Sequence, residues 1–102
     1  MGLKIEQSQS SSESLIRVVG EVDLYSSPEL RKAILEAIPS APGELAIDLG
    51  GVTYIDSSGV ATLVEGLRSA REHGTRFALV TPSRAVLQVL ELARLDSIFE
   101  VR

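Results

Sequence analysis

Apolar residues along the chain recur with two different spacings, which together predict an alternation of strands and helices. Compact runs of aliphatic and β-branched residues predict strands over 3–5, 15–19, 45–49 and 77–80. Other apolar residues recur every three or four positions, which is the spacing of one helix face. Three such stripes predict helices, and they consist of Leu30, Ala33, Ile34, Ala37 and Ile38, then Val60, Leu63, Val64 and Leu67, then Val86, Leu87 and Leu90. The predicted order is β-β-α-β-α-β-α.

Residues that start and stop helices support these boundaries. Ser26 occupies a favoured helix-cap position, and Pro28 suits the first turn that follows. Pro39 ends the first helix and Gly74 ends the second. Between the first two strands, segment 7–14 contains five serines in eight residues, and this composition predicts a solvated hairpin turn.

Helices that alternate with buried strands predict an α/β fold with a mostly parallel sheet. The 102 residues suit one small domain spanning 1–102, and a hydrophobic fraction of 44% is enough for a real core. We expect that core to contain the central members of the stripes and strands, namely Ala33, Ile34, Ile47, Leu63, Leu67 and Leu79.

Charge and composition exclude several classes of function. The net charge is −4 and only 4% of the residues are aromatic, so the chain lacks the basic and stacking surfaces that nucleic-acid binding needs. Cysteine is absent and His73 is the single histidine, so we expect no metal site and no cofactor. No apolar run approaches the roughly 18 residues of a membrane span, and the N-terminus lacks a signal-peptide pattern. We therefore expect a cytoplasmic protein without direct membrane insertion.

The segment Asp56-Ser57-Ser58-Gly59 carries the most distinctive chemistry. It lies between a predicted strand and a predicted helix, so a serine hydroxyl there sits among free backbone N–H groups at the positive end of the helix dipole. These surroundings favour a phosphate group, which makes a phosphorylated serine physically reasonable. The same four residues are also ordinary helix-capping chemistry, with Ser57 the better candidate for the cap. From the residues alone, both interpretations stay open.

Catalytic interpretations of these serines are weaker. His73 lies fifteen residues after Ser58, which is about 22 Å along one helix, so it cannot serve as the base for a serine nucleophile. Asp56 stands where a G-x-S-x-G elbow has glycine. Gly50-Gly51 predicts a turn rather than a phosphate-binding loop. Asp48 ends a strand as in an aspartyl-phosphate receiver, but no acidic pair accompanies it to hold a metal. We therefore expect no catalytic residue and no enzyme.

Several segments together resemble the STAS domain family, whose best-known members are the bacterial anti-sigma-factor antagonists. The resemblance extends from about residue 3 to residue 101 and is carried by Gly20-Glu21-Val22-Asp23, Pro28-Glu29-Leu30-Arg31, Leu45-Ala46-Ile47-Asp48-Leu49 and Val52-Thr53-Tyr54-Ile55-Asp56-Ser57-Ser58-Gly59. It implies a small α/β domain in which helices pack mainly on one face of a mixed β-sheet.

The resemblance also implies a function. In the antagonists, the second serine of the motif, which matches Ser58, is phosphorylated by an ATP-dependent kinase of the GHKL type that is also the anti-sigma factor. Asp23 matches an acid across the loop from that serine, and Asp56 matches the acid that opens the motif. Ser57 and Gly59 complete the surroundings of the switch. The unphosphorylated antagonist binds its partner and frees a sigma factor, and a PP2C-type phosphatase resets it.

A second group of STAS proteins implies a different partner. Stand-alone STAS proteins also occur as subunits of phospholipid-transport ABC systems, where the domain docks on the ATPase. The run 59–67 resembles those proteins at least as much as it resembles the sporulation regulators. An ABC transporter ATPase is therefore the alternative partner, and no phosphorylation is expected in that case.

Overall fold

Five strands form one mixed sheet in the computed structural model, which describes residues 2–102. The strands are β1 (Leu3–Gln9), β2 (Ser14–Val22), β3 (Glu44–Ile55), β4 (Arg76–Val80) and β5 (Glu100–Val101). They lie side by side in chain order, with β1 antiparallel to β2 and every later pair parallel. This arrangement confirms the predicted α/β class and the mixed sheet. Met1, the first residue of the predicted domain, lies outside the described residues.

Three helices connect the parallel strands and pack on one face of the sheet. They are α1 (Ser27–Ala37), α2 (Ser57–Glu72) and α3 (Arg84–Leu92), and a 3₁₀ turn (Ile38–Ser40) follows α1. Gly66 of α2 lies against Ile34 of α1 and the ring of Phe77 on β4, so the first two helices and the sheet meet without an intervening layer. Among the described helices, none has both the length and the apolar character needed to cross a membrane.

The hydrophobic core lies between this helix layer and the sheet. Of the residues predicted to form it, Ile34, Ile47, Leu63 and Leu79 are fully buried and Leu67 is 8% exposed. Ala33 is only half-buried and packs at the margin of the core, because it lies at the edge of the α1 stripe rather than at its centre. The predicted core is otherwise confirmed.

The opposite face of the sheet is covered by charged side chains instead of a helix. Arg17 pairs with Asp48 at 3.3 Å, and Arg76 pairs with Glu100 at 2.7 Å. Such exposed pairs stabilise the fold only modestly, by about 1 kcal/mol or less each. The apolar core under the helices therefore contributes most of the stability.

The third strand is longer than the sequence pattern predicts. The predicted turn at Gly50-Gly51 is wrong, because β3 continues through both glycines to Ile55. A Cβ on Gly51 would lie 2.9 Å from Val19 Cγ2, and the pairing of β2 with β3 shifts register between Arg17 and Val19. The glycines thus mark an irregularity where two strands approach closely, not a chain reversal.

The two edges of the sheet also differ from the predictions. The solvated turn predicted over 7–14 shrinks to residues 10–13, where the Ser10 hydroxyl accepts hydrogen bonds from Ser12 N and Glu13 N. At the other edge β5 was not predicted, because two residues are too few for a recognisable alternation. Hydrogen bonds from Arg102 N to Leu79 O and from Thr81 N to Arg102 O attach this segment to β4.

Candidate functional site

The segment singled out by the sequence joins the carboxyl end of β3 to the first turn of α2. Asp56 is the N-cap of α2, and its side chain accepts hydrogen bonds from Ser58 N at 3.0 Å and Gly59 N at 3.2 Å. The predicted cap at Ser57 is therefore wrong, because Ser57 is already the first helical residue. A carboxylate at this position combines an acceptor with a negative charge at the positive end of the helix dipole.

The two serines of the motif occupy different environments. Ser58 is half-buried, and its hydroxyl donates to Asp56 Oδ1 at 2.5 Å. Ser57 is exposed and lines a groove beside α2. Ser58 therefore presents an oriented hydroxyl within reach of solvent, whereas Ser57 faces outward along the helix.

The Asp56 carboxyl is held in its charged form by these donors. Its pKa lies below the usual range, chiefly because the Ser58 hydroxyl donates to it, and partial burial opposes this lowering. The backbone N–H groups of Gly59, Ser58 and Leu24 lower the pKa further. At neutral pH the Ser58 hydroxyl thus lies directly against a carboxylate.

Asp23 organises the loop that leads from β2 into α1. Its Oδ1 accepts hydrogen bonds from Tyr25 N at 2.9 Å and Ser26 N at 3.0 Å. Ser26 is the N-cap residue of α1, as predicted, but its hydroxyl makes no capping bond and instead donates to Glu21 O at 2.8 Å. The hydroxyl is occupied by its own loop, so the predicted side-chain cap is wrong.

The Asp23 loop and the Asp56 turn lie next to each other because β2 and β3 are neighbours in the sheet. Asp56 N donates to Val22 O at 3.1 Å, which ties the end of one strand to the start of α2. The pKa of Asp23 lies below its usual range, mainly because Ser26 N donates to it, and the charge of Asp56 opposes that lowering. Two carboxylates and the Ser58 hydroxyl therefore lie at the carboxyl ends of β2 and β3.

Gly59 allows α2 to start close to the sheet. A Cβ at this position would lie 2.6 Å from Ile55 Cγ1 and 2.8 Å from Val22 Cγ1, and both of those side chains are buried. Because Gly59 has no side chain, the first turn of α2, which includes Ser58, packs closely against the ends of β2 and β3.

Gly59→Ala is expected to lower the free energy of unfolding by about 1–3 kcal/mol, because the added methyl group forces buried side chains apart. Urea denaturation followed by circular dichroism measures this difference. Gly2→Ala is the matched control, since nothing lies within 4 Å of a Cβ at Gly2. Equal midpoints for the two variants would show that the close approach at Gly59 is not required.

A groove of about 740 Å³ runs along the exposed side of α2. Its lining combines apolar and polar residues, namely Leu35, Ser57, Val60, Ala61, Val64, Glu65, Arg68, Ser69, Glu72 and Leu95. Glu65 at its margin forms a bidentate pair with Arg31 of α1, at 2.9 and 2.7 Å. The groove begins at Ser57, so the segment 56–59 and the exposed side of α2 form one continuous face.

Sequence reasoning missed large apolar side chains that are exposed near the carboxyl ends of β2 and β3. Leu24 is 67% exposed and Tyr25 is 90% exposed, directly after Asp23, and Tyr54 near the end of β3 is half exposed. The sequence could have indicated this exposure, since Leu24 and Tyr25 are bulky residues in an otherwise polar loop. Exposed residues of this type beside charged groups are typical of a protein-binding surface.

His73 lies at the opposite end of α2 from the motif. It is the C-cap residue, and its Nδ1 lies 2.9 Å from Ser69 O. His73 lies sixteen residues after Ser57 and fifteen after Ser58, which corresponds to about 22 Å or more along an α-helix. The imidazole therefore cannot take a proton from either serine.

Comparisons with known proteins agree with this architecture. A family model described as "Mlab, STAS domain" matches residues 5–100. An anti-sigma-B factor antagonist of Listeria monocytogenes is 31% identical over 104 residues, which cover 100% of this chain and 90% of that protein. The crystal structure of an anti-sigma factor antagonist from Mycobacterium paratuberculosis is similar with a TM-score of 0.88 and 26% identity, over 98% of this chain and 85% of the other.

The Bacillus cell fate determinant SpoIIAA in its phosphorylated form shares the fold. That structure has a TM-score of 0.74 and 22% identity, over 97% of this chain and 91% of the other. With the family model matched over nearly the whole length and a relative above 30% identity, the chain belongs to the STAS domain family.

Proposed function

We propose that this chain is a phospho-switched antagonist of an anti-sigma factor, with Ser58 as the phosphorylated residue. The observation that carries the proposal is the half-buried Ser58 hydroxyl at the start of α2, which donates to the Asp56 carboxylate. The charge of Asp56 in turn acts on Asp23 in the neighbouring loop. Relatives named anti-sigma-B factor antagonists support the class of partner. The chain acts in this scheme by binding and not by catalysis.

The physical basis of the switch is local charge. A phosphorylated serine carries about −1.5 to −2 charges at neutral pH. On Ser58 this group would lie beside Asp56 and near Asp23, so the region at the carboxyl ends of β2 and β3 would carry a strong negative charge. A partner surface shaped for the neutral hydroxyl then loses affinity through repulsion and through the cost of desolvating the phosphate.

The docking face includes the Asp23 loop, the turn 56–58 and the exposed side of α2. Leu24 and Tyr25 in the Asp23 loop provide exposed apolar contact area on this face, and aromatic side chains are enriched in protein interfaces. Glu65 and Arg68 lie toward its edge and adjust the association rate more than the affinity. The partner we infer is a GHKL-type kinase that is also the anti-sigma factor, with a PP2C-type phosphatase reversing the modification.

Docking on the ATPase of a phospholipid-transport ABC system is the second candidate function. The observation that favours it is the groove beside α2, whose lining includes the apolar residues Val60, Ala61 and Val64. In that case the chain stabilises the ATPase and no phosphate is required. A pull-down from native lysate distinguishes the two functions, because either a GHKL-type kinase or an ABC ATPase is recovered.

Incubation with the recovered kinase and ATP is expected to add one phosphate, located on Ser58. Intact-mass spectrometry counts the phosphates, and fragmentation of the peptide that contains both serines assigns the site. Ser58→Ala should remain unmodified, and Ser57→Ala should be modified like the wild type. A phosphate on Ser57, or none on the wild type with an active kinase, would contradict the switch and favour the transporter subunit.

A further inference from the structure

The hairpin of β1 and β2 becomes polar on its core-facing side near the turn that joins the two strands. Side chains alternate between the two faces of a strand, and Ile5 on β1 and Ile16 on β2 both pack against the core. Gln7 and Gln9 therefore lie on the same face as Ile5, and Ser14 lies on the same face as Ile16. Apolar residues are expected at core-facing positions, and polar residues there point to a function.

A cavity of about 330 Å³ lies between these polar side chains and the end of α1. Glu36, Ala37 and Ser40 line it from the side of the helix. The cavity forms because α1 ends at Ala37 and its 3₁₀ turn ends at Ser40, so no helix covers this end of the hairpin. Its volume is at the lower end of the range for sites that bind small molecules.

Ser14 is the most deeply buried of the polar residues that line this cavity. It is only 6% exposed, and its hydroxyl makes no hydrogen bond to the part of the chain that the structure describes. Every side-chain nitrogen or oxygen that is sealed from solvent among those residues has a partner, so the Ser14 hydroxyl opens into the cavity. Buried polar groups are normally hydrogen-bonded, which leaves this hydroxyl for a ligand to pair with.

The charges around the cavity are predominantly negative. The Glu36 carboxylate lies on its rim, and no lysine or arginine is among the residues that line it. The carboxyl end of α1 is the negative end of a helix dipole, and the last turn of that helix contains no basic residue. Lys32 lines an adjoining groove, but Glu29 and Glu36 line that groove too. These surroundings favour a cation over an anion.

We propose that this cavity binds a primary ammonium group, carried by a small organic amine or by a lysine side chain of another protein. An ammonium group donates three hydrogen bonds and accepts none, so it suits a lining of hydroxyl, amide and carboxylate oxygens. The methylene groups of such a ligand pack against Ile16 and Ala37. The site lies at the opposite end of β2 from the Asp23 loop and the Ser58 turn, so it does not depend on the proposed function.

Titration of the ¹⁵N-labelled chain with putrescine, a linear diamine, tests the site by NMR. We expect the amide signals of Gln7, Ser14 and Ala37 to shift with a Kd of about 1 mM, which is reasonable for so small a ligand. The neutral diol of the same length, 1,4-butanediol, is expected to bind at least about tenfold more weakly, because it lacks the charge. Equal shifts with the diol would overturn the assignment of the ligand as a cation.

Two substitutions locate the ammonium group. Glu36→Gln is expected to weaken putrescine binding about tenfold, because a charged hydrogen bond is lost, and Ser14→Ala about fivefold, because a neutral one is lost. Glu91→Gln is the matched control, since Glu36 and Glu91 are both exposed and each is the second-last residue of its helix. Wild-type affinity in Glu36→Gln, or an equal loss in Glu91→Gln, would overturn the site.

Nα-acetyl-lysine amide distinguishes the two sources of the ammonium group. Tighter binding of this compound than of putrescine, with the same signals shifted, would identify the ligand as a protein side chain. Binding of putrescine alone would identify it as a free amine. If neither compound shifts these signals at concentrations up to about 20 mM, the proposed site is wrong. Phosphorylation of Ser58 does not enter the measurement, so such a failure leaves the proposed function unchanged.

Discussion

Ser58→Asp is expected to weaken binding to the anti-sigma factor by at least about a hundredfold, because like charges placed together at an interface cost several kcal/mol. The substitution adds a third carboxylate beside Asp56 and Asp23, and it removes the hydroxyl that donates to Asp56 Oδ1. Ser58→Ala should bind about as tightly as the unphosphorylated wild type, since it stays neutral, and it should bind constitutively. Isothermal titration calorimetry with the purified partner measures both affinities.

Salt dependence separates repulsion from shape. Raising the ionic strength from about 0.1 M to 1 M shortens the Debye length from about 10 Å to about 3 Å, so part of the affinity lost in Ser58→Asp should return. Arg84→Glu tests the position of the docking face, since Arg84 lies on α3 and its charge reversal should leave binding nearly unchanged. Equal losses in Ser58→Asp and Arg84→Glu would mean that the docking face lies elsewhere.

The fold was predictable where burial dictates the sequence pattern. The run 45–49 is mostly aliphatic because Leu45, Ile47 and Leu49 face the core under the helices. Ile16 on β2 and Leu79 on β4 lie beside Ile47 and are buried in the same core. The α2 stripe was recognisable because one face packs on α1 and the sheet and the other lies along a groove. Elements whose position depends on long-range pairing were not, and β5 is the example, since it exists through its contacts with β4.

The candidate site was predictable in its location and not in its internal contacts. Asp56, Ser58 and Asp23 were identified from the sequence, but their hydrogen bonds depend on how β2 and β3 place two loops side by side. Local propensity ranks Ser57 and Asp56 as nearly equal caps. Asp56 is the cap because β3 ends at Ile55, the residue directly before it, and α2 begins at Ser57, the residue directly after it. The exposure of Leu24 and Tyr25 likewise follows from the Asp23 loop, whose backbone folds around a carboxylate rather than over the apolar side chains.

Leu63 links the stability of the fold to the presentation of the site. It lies just over one turn after Ser58 on α2, and its side chain is fully buried in the core. The first turn of α2 is capped by one carboxylate and rests on buried side chains through Gly59. Packing at Leu63 therefore helps to hold the start of α2 against the strand ends, where the candidate residues Asp56 and Ser58 lie.

Leu63→Ala is expected to lower the free energy of unfolding by about 2–5 kcal/mol, because the lost contacts leave a cavity that the core only partly fills. For a domain whose total stability is about 5–15 kcal/mol, such a change removes a substantial fraction of the free energy of unfolding. Urea denaturation at 25 °C measures the loss. Val64→Ala is the matched control, since Val64 is only half-buried beside the groove and its truncation should cost less than about 1.5 kcal/mol. Equal destabilisation of both variants would contradict the packing described for α2. The folded fraction of Leu63→Ala should still accept a phosphate on Ser58. Loss of phosphorylation in that fraction would show that Leu63 positions the site directly.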